Sequence, residues 1–576
     1  MPPDLGDTME AVIARIQKLP SSKAKLGMEV LMWLHLAYRP LQLAELQHAL
    51  SVEAGQTELD PDDIPSQKVI LDSCLGLVIL DEETRTIRFV HYTLEEYFRD
   101  HGDKHFPNGC RTAAVICLTY LNFGDLVPHC QTRDELWAKM EDFAFLKYAA
   151  VNWGYYVARQ CDDTVSKLAL KILERVDTTS CPLQVLYGLS PSTPWAYDLT
   201  DTYGNLVRVA TKFSGVHVAA HFGLAVCLQC LCQTMDMNDD TGRTALSWAA
   251  EMGNESVVQL LLARDDVYIN AKSNIGCTPL SFAAQNGHKD VVQLLLARDD
   301  IDINAHAPLY FAAKNGHKDV VQLLLARDAY VNIMNSDWGL TPLSLAAQNG
   351  HKDVVQLLLA RDDVDINAKS FGGRTPLSWA AIKGHKDVVQ LLLARDDVDV
   401  NTKDSEYGQT PLSFAAKNGH KGVVQLLLAR DDVDVNTKDS RYGQTPLSWA
   451  AEKGHEDVVQ LLLARDDVDV NTKDSLYGHT PLSWAAEKGH KDVVQLLLAR
   501  DDVDVNTKDS RYGRTPLSWA AGKGHKDLVQ FLLARDDVDV NIKCEDGRAA
   551  ADYARERRCN DIADLLDSKT ATASPV

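Results

Sequence analysis

The chain has 576 residues, 59 Lys and Arg against 81 Asp and Glu, and a formal net charge of −22. At about 100–200 residues per domain it is too long for one ordinary globular domain. Its 45% hydrophobic and 24% charged content argues against wholesale disorder. The negative balance argues against a primary nucleic-acid or anionic-membrane binder, which needs clustered Lys and Arg.

Met1-Pro2-Pro3-Asp4 lacks the basic start and apolar core of a signal peptide. The longest apolar run, around Leu31–Tyr38, falls far short of the ~18–20 residues that span a bilayer. In chain order, Met28–Tyr38 and Leu41–Leu50 read as helices. Gly76–Leu80 and Thr86–His91 flank Asp81-Glu82-Glu83-Thr84 as a β-hairpin, and a helix is expected over Leu94–Asp100. Helices plus a hairpin predict a winged-helix-like module over 1–110. Helical patterns at Arg111–Asn122 and Asp142–Arg159 predict a helical connector over 111–213. The hairpin offers only Arg85 and Arg88 beside three acids, and residues 1–213 carry 20 basic and 29 acidic side chains. Direct DNA binding is not expected.

From residue 214 the chain repeats itself. Thr410-Pro411-Leu412-Ser413 recurs at Thr445, Thr480 and Thr515, 35 residues apart. Earlier copies start at Thr244, Thr278, Ala307, Thr341 and Thr375; the copy at Thr278 is shortened, because the next begins 29 residues later. Degenerate copies near Ser214 and Ala549 bring the array to about eleven units over 214–566, followed by a disordered tail over 567–576. Within one unit, Thr445 is placed to cap a helix that opens on Pro446. Leu447, Trp449, Ala450 and Ala451 form its apolar face, and Gly454 stops it. Val458, Val459, Leu462 and Leu463 give a second helix an apolar stripe. Neither helix can bury its stripe alone, so neighbouring units must stack.

This unit closely resembles the ankyrin repeat, with its Thr-Pro-Leu-His-x-Ala-Ala and Gly-His signatures. The expected fold is mainly α: an ankyrin-repeat solenoid preceded by a helical, winged-helix-like N-terminal region. Three departures stand out. Ser replaces the signature His at Ser247, Ser281 and Ser448, which weakens the usual side-chain tie. Asp467 and Asp502 stand where the family has Gly, although Asp tolerates left-handed backbone less well. The longer loop predicts a longer or bulged finger. Phe89-Val90-His91-Tyr92-Thr93-Leu94-Glu95-Glu96-Tyr97-Phe98, Trp33-Leu34 and Phe145-Leu146-Lys147-Tyr148-Ala149-Ala150 resemble the segment downstream of the NACHT domain in fungal NACHT–ankyrin signalling NTPases. No Gly-x-x-x-x-Gly-Lys-Ser/Thr stretch exists in the chain, so the nucleotide chemistry is not carried over. Either the NTPase was lost or the sequence starts too late. His91, which matches a family histidine, is expected to be buried or half-buried in the hairpin.

Comparison of the four nearly identical copies points to a binding face. Their packing residues hardly change. The loop tips do (Glu406, Arg441, Leu476, Arg511, and Gln409, Gln444, His479, Arg514), as does the end of the first helix (Lys417, Glu452, Lys453, Glu487, Lys488, Lys523). In the ankyrin fold these positions line the concave face, which commonly binds proteins. Gln425, Gln460 and Gln495, expected to be exposed elsewhere, have not drifted.

Other chemistry finds little support. Asp432-x-Asp434-x-Asn436 starts like a Ca²⁺ loop but continues with Thr437 and Gly443 where Gly and Glu are needed. His217, His221, Cys227 and Cys230, with Cys232 nearby, have zinc-like spacing. However, His217 falls on the signature histidine and the cysteines on an apolar stripe, so packing is expected instead. His288, His351, His420 and His490 are placed by the repeat, and Trp248, Trp379, Trp449, Trp484 and Trp519 read as core. No catalytic motif and no cofactor site is expected. Ten of the twelve cysteines lie at or before Cys277, so bridges do not staple the units. An intracellular chain follows, in cytoplasm or nucleus. The functional expectation is a non-enzymatic scaffold or regulatory adaptor for a protein partner with a basic surface. That partner could be a transcription factor or signalling protein, with the chain acting as a transcription coregulator; direct nucleic-acid and membrane contacts are not expected. The alternative is a truncated or remnant NACHT–ankyrin signalling NTPase.

Overall fold

The computed structural model describes residues 3–573 apart from 127, 129, 131, 175–180, 183–184, 187–213 and 232–236. The chain divides into two compact units, Met1–His306 and Ala307–Val576. This division falls inside the repeat array, at the shortened repeat. His306 and Ala307 both take left-handed backbone there, with φ of 51° and 47°.

In the first unit, helices Ser21–Leu36, Leu43–Leu50 and Tyr92–His105 accompany a small antiparallel sheet. Its strands are β1 (Leu41–Gln42), β2 (Val78–Asp81) and β3 (Thr86–Phe89), in the order β1-β3-β2. Val78 pairs with Phe89 and Leu41 with Ile87. Leu41 and Gln42 were expected to be helical. They pair instead with the free edge of β3, and the helix starts only at Leu43, where Gln42 and Glu45 form a capping box. His91 is corrected as well: it is exposed and caps helix Tyr92–His105, its Nδ1 accepting the Thr93 amide. Arg85 and Arg88 face Glu82 and Asp81 at 3.7 and 2.9 Å, so the hairpin's cations are already spent.

Connector helices Gly109–Leu121 and Leu146–Arg159 share one core with this module. Fully buried Trp33 meets Phe145, Tyr148 and Tyr156 edge-on at 5.4–6.2 Å. The Tyr156 hydroxyl donates to the Leu36 carbonyl at 3.1 Å, and burial holds its proton far above the ordinary phenol range. Helix Leu146–Arg159 then seats the first repeat, with Trp153 and Tyr155 each 5.2 Å from the Phe222 ring. Gly154 leaves that ring its room. Three helix pairs follow, from Gly215–Phe222 to Lys289–Leu296.

The second unit holds eight helix pairs among its described residues, from Pro308–Asn315 to the final Asn560–Ala573. The caps form as expected: Thr445 Oγ1 accepts the Ser448 amide at 3.2 Å, Pro446 opens the helix, and Gly454 closes it at φ 76°. First helices stack on first helices and second on second. Val458, Val459 and Leu462 are fully buried between them. Three polar ladders tie each repeat to the next. His490 Nε2 meets the Glu452 carbonyl at 3.1 Å, as its counterparts do elsewhere. The Asn436 amide donates to the Asp467 carbonyl at 2.7 Å and accepts the Asp469 amide at 2.8 Å. At the tips the Ser475 amide donates to the Tyr442 carbonyl at 2.7 Å. The recurring histidines are thus struts.

Two further expectations change. The Asp that replaces Gly after the second helix does not adopt left-handed backbone in the longer loops; only Asp328, where the loop is one residue shorter, does so, at φ 57°. The extra residue lets the chain turn with ordinary dihedrals, and Arg465 grips Asp467 across two bonds of 2.9 and 2.7 Å. Likewise the tail is not disordered over 567–573. Helix Asn560–Ala573 runs through it, because Ile562, Ala563 and Leu566 bury on the last pair. No helix among the described residues is long and apolar enough to cross a membrane.

Candidate functional site

The expected binding residues all lie in the second unit. There the structure separates them into two layers. Arg441, Lys453, Leu476, Lys488, Arg511 and Lys523 are exposed, and so is Glu406, whose carboxylate sits 3.2 Å from Arg374. Lys417, Glu452, Glu487 and Arg514 are half-buried. Gln409, Gln444 and His479 are not at the surface at all: each is at most 2% exposed.

At this position of the unit Arg374, His479 and Arg514 are wedged between aromatic rings of successive first helices. Arg374 lies over Trp379 at 5.2 Å and Phe414 at 5.4 Å. His479 meets Trp484 and Trp519 edge-on at 4.6 and 5.0 Å. Arg514 lies over Trp519 at 4.6 Å and Tyr553 at 4.0 Å. Gln444 turns its amide to Glu452 at 2.8 Å. Arg374, His479 and Arg514 are therefore interrepeat spacers, and the drift at this position reflects tolerance of planar or cationic groups between rings. Both His479 nitrogens lack a hydrogen-bond partner, and burial pushes the imidazole below its ordinary range.

Under each tip sits a carboxylate that comparison of the copies passed over because it never varies. Asp439 Oδ1 accepts amides of Arg441, Tyr442 and Gly443, and its Oδ2 accepts Trp449 Nε1 at 3.0 Å. Asp474 with Trp484 and Asp509 with Trp519 repeat this. One buried Asp thus shapes the tip and pins the indole, and the expected long finger is a compact turn closed by Asp439 and Gln444 backbone at 3.0 Å. Where the partner is missing the rule shows: Trp379 has Ser370 nine residues before it, and its Nε1 is unsatisfied. Gly443, at φ 71°, lets the next tip approach, since a Cβ there would strike Ser475.

The tryptophans are packing residues, but two also form the floor of a hollow of about 410 Å³. Tyr407, Tyr442, Trp449, Tyr477 and Trp484 supply its rings, and Lys417, Arg441, Lys453 and Leu476 its rim. Lys417 Nζ stands 3.9 Å over Trp449. Arg441 lies 5.4 and 5.3 Å from Tyr407 and Tyr442. Lys453 sits 3.1 Å from Glu452, and Lys523 the same distance from Glu487. The acidity of the whole chain therefore does not describe this face. Around the hollow the outermost charges are Arg441 and Lys453, and Glu406 at the neighbouring tip faces Arg374, whereas exposed Asp431, Asp432 and Asp434 lie in the loop after the second helix. Gln425, Gln460 and Gln495 are exposed on the second helices, as expected.

Of the zinc-like residues, the two histidines are otherwise engaged. His217 Nδ1 accepts the Ser214 amide at 3.0 Å, and its Nε2 faces the Met237 carbonyl at 2.9 Å. His221 packs against Phe222 and Trp248, and burial pushes it down to about 4. Cys227 is buried, Cys230 is exposed, and Cys232 lies outside the described residues. Asp432, first of the Ca²⁺-like run, is held by Arg430 at 2.9 and 2.7 Å.

Comparison with known proteins agrees with this geometry. The family model "Ankyrin repeats (3 copies)" matches residues 204–273, 265–335, 309–404, 397–474 and 482–573. Residues 16–106 match the winged helix domain of GPI inositol-deacylase. No curated protein matches the chain.

Proposed function

Because the chain belongs to the ankyrin-repeat family, with a winged-helix domain before the repeats, we propose that it is a non-enzymatic scaffold or regulatory adaptor. It holds a protein partner on the face formed by the loop tips and the ends of the first helices over 404–523. One observation carries this reading: the exposed variable side chains of that face gather around an open hollow with an aromatic floor, while the exposed Gln425, Gln460 and Gln495 of the second helices do not vary. Aromatic and Arg side chains are the groups that dominate binding energy at protein interfaces. The N-terminal module, packed against the first repeat through Phe222, anchors the start of the array.

The test places a photo-crosslinking amino acid at Leu476, on the hollow, or at Gln460, on a second helix. A partner captured by the full chain should crosslink from position 476 and not from 460. Equal crosslinking from both, or from 460 alone, would move the interaction to another face.

A further inference from the structure

Resting on that reading of the face, we propose that the hollow over Trp449 takes carboxylates of an acidic, extended segment of the partner. Three cations converge on it. Lys417 Nζ is 3.9 Å from the Trp449 centroid and 6.0 Å from that of Tyr407. Arg441 is 5.4 Å from Tyr407, and Lys453 Nζ 6.0 Å from Trp449. The rings hold the three heads around one opening.

Neither Lys417 nor Arg441 has a carboxylate within ion-pair distance among the described residues. Glu452, beside Lys453, is recessed: its side chain is 13% exposed against 43% for the lysine, and it already accepts from Gln444. An incoming chain meets ammonium and guanidinium groups first. Partial burial, and after it the neighbouring Lys453, lower the Lys417 pKa, while Asp439, Glu452 and Asp404 act in the opposite direction without closing to an ion pair. A carboxylate set between Lys417, Arg441 and Lys453 would relieve that repulsion and gain charge-assisted hydrogen bonds. A basic segment would add to it. The complementary charge is therefore opposite to the one the net charge of −22 suggests.

The arrangement recurs. Lys488 lies 5.5 Å over Trp484 and Lys523 5.9 Å over Trp519, while Arg511 spans Tyr477 and Tyr512 at 5.2 and 5.4 Å. Successive first helices pack directly on one another, so these cations recur about every 8–10 Å. An extended peptide advances about 3.3 Å per residue. Acidic residues at every third position match that step.

The experiment measures fluorescence anisotropy of a labelled ten-residue peptide, Asp at every third position and Ser or Leu between, against the full chain. Expected results are saturable binding, weakening as salt rises, and at least a ten-fold loss in the Lys417→Gln/Arg441→Gln variant. Gln460→Glu should bind as the parent does, and a peptide with its Asp residues clustered at one end should bind several-fold more weakly. Unchanged binding by the double variant would overturn the proposal. So would equal binding of a Lys-for-Asp peptide, or displacement by millimolar inorganic phosphate with no effect of Asp spacing. If the acidic peptide fails while position 476 still crosslinks a partner, the acidic segment is wrong and the binding face stands. Identical circular dichroism melts for parent and double variant show that the loss is not unfolding.

Discussion

The Trp484 indole donates its Nε1 hydrogen to Asp474 Oδ2 at 3.0 Å, and the same carboxylate collects four backbone amides from Leu476 to His479. A loop tip and a helix ten residues away are thereby held by one buried anion.

Replacing Asp474 with Asn puts an amide donor among those N–H groups. The change should cost about 1–3 kcal/mol, because a buried donor is left unpaired. Urea unfolding measures the loss, and hydrogen exchange at Tyr477 and Gly478 should speed up. Unaltered exchange would show that the tip holds its shape without the carboxylate.

Leu462 is fully buried between stacked second helices, whereas Leu461 is half-buried. Leu462→Ala should destabilise by about 2–5 kcal/mol, and Leu461→Ala by clearly less. Equal losses would mean that the stripe does not face its neighbours as described.

Asn436 joins its repeat to the next through two bonds of 2.7 and 2.8 Å. Asn436→Ala should remove about 1–2 kcal/mol of interface free energy. Because repeat arrays gain cooperativity through such interfaces, the unfolding transition should broaden. A shifted but equally sharp transition would place the effect inside one repeat.

Lys453, Lys488 and Lys523 are exposed, each near a Trp ring and an ion-pair partner, Glu452 or Glu487, that is itself recessed. Changing all three to Glu should weaken partner capture strongly and leave the thermal midpoint nearly unchanged. Normal capture by the folded triple variant would remove these residues from the binding face.

His479 is buried between Trp484 and Trp519, facing Asp474, Asp509, Glu487 and Lys488, and burial dominates in lowering its pKa. The unfolded chain titrates this group near 6.5. Below that pH the unfolded state binds more protons, so stability present above pH 6.5 is lost as the pH falls. His479→Gln, copying Gln444, should flatten the decline in thermal midpoint between pH 7.5 and 5.5. Parallel curves for parent and variant would show that the imidazole does not titrate in this window.

The repeat, its caps and its apolar stripes were readable from residue order, since a Thr-Pro start, a Gly stop and a helical spacing of Val and Leu act within a dozen residues. So was the hairpin Val78–Phe89. The strand at Leu41 was not, because its partner lies more than forty residues away and its own pattern fits a helix. Variation among copies found the tips and helix ends but merged two populations. Arg441 and Lys453 vary at the surface, whereas Gln409, Gln444 and His479 vary inside, His479 between two indole rings. Only stacking of neighbouring repeats separates them, since each wedge is enclosed by its own tip and the next first helix. The same stacking turns Asp439, Asp474 and Asp509 from apparent members of an acidic chain into buried anchors. It also brings Lys417, Arg441 and Lys453, spread over 37 residues, around one opening. Local sequence sets which helices form and where they stop; whether a charge faces solvent, a ring or a neighbouring charge depends on groups contributed by the adjacent repeat.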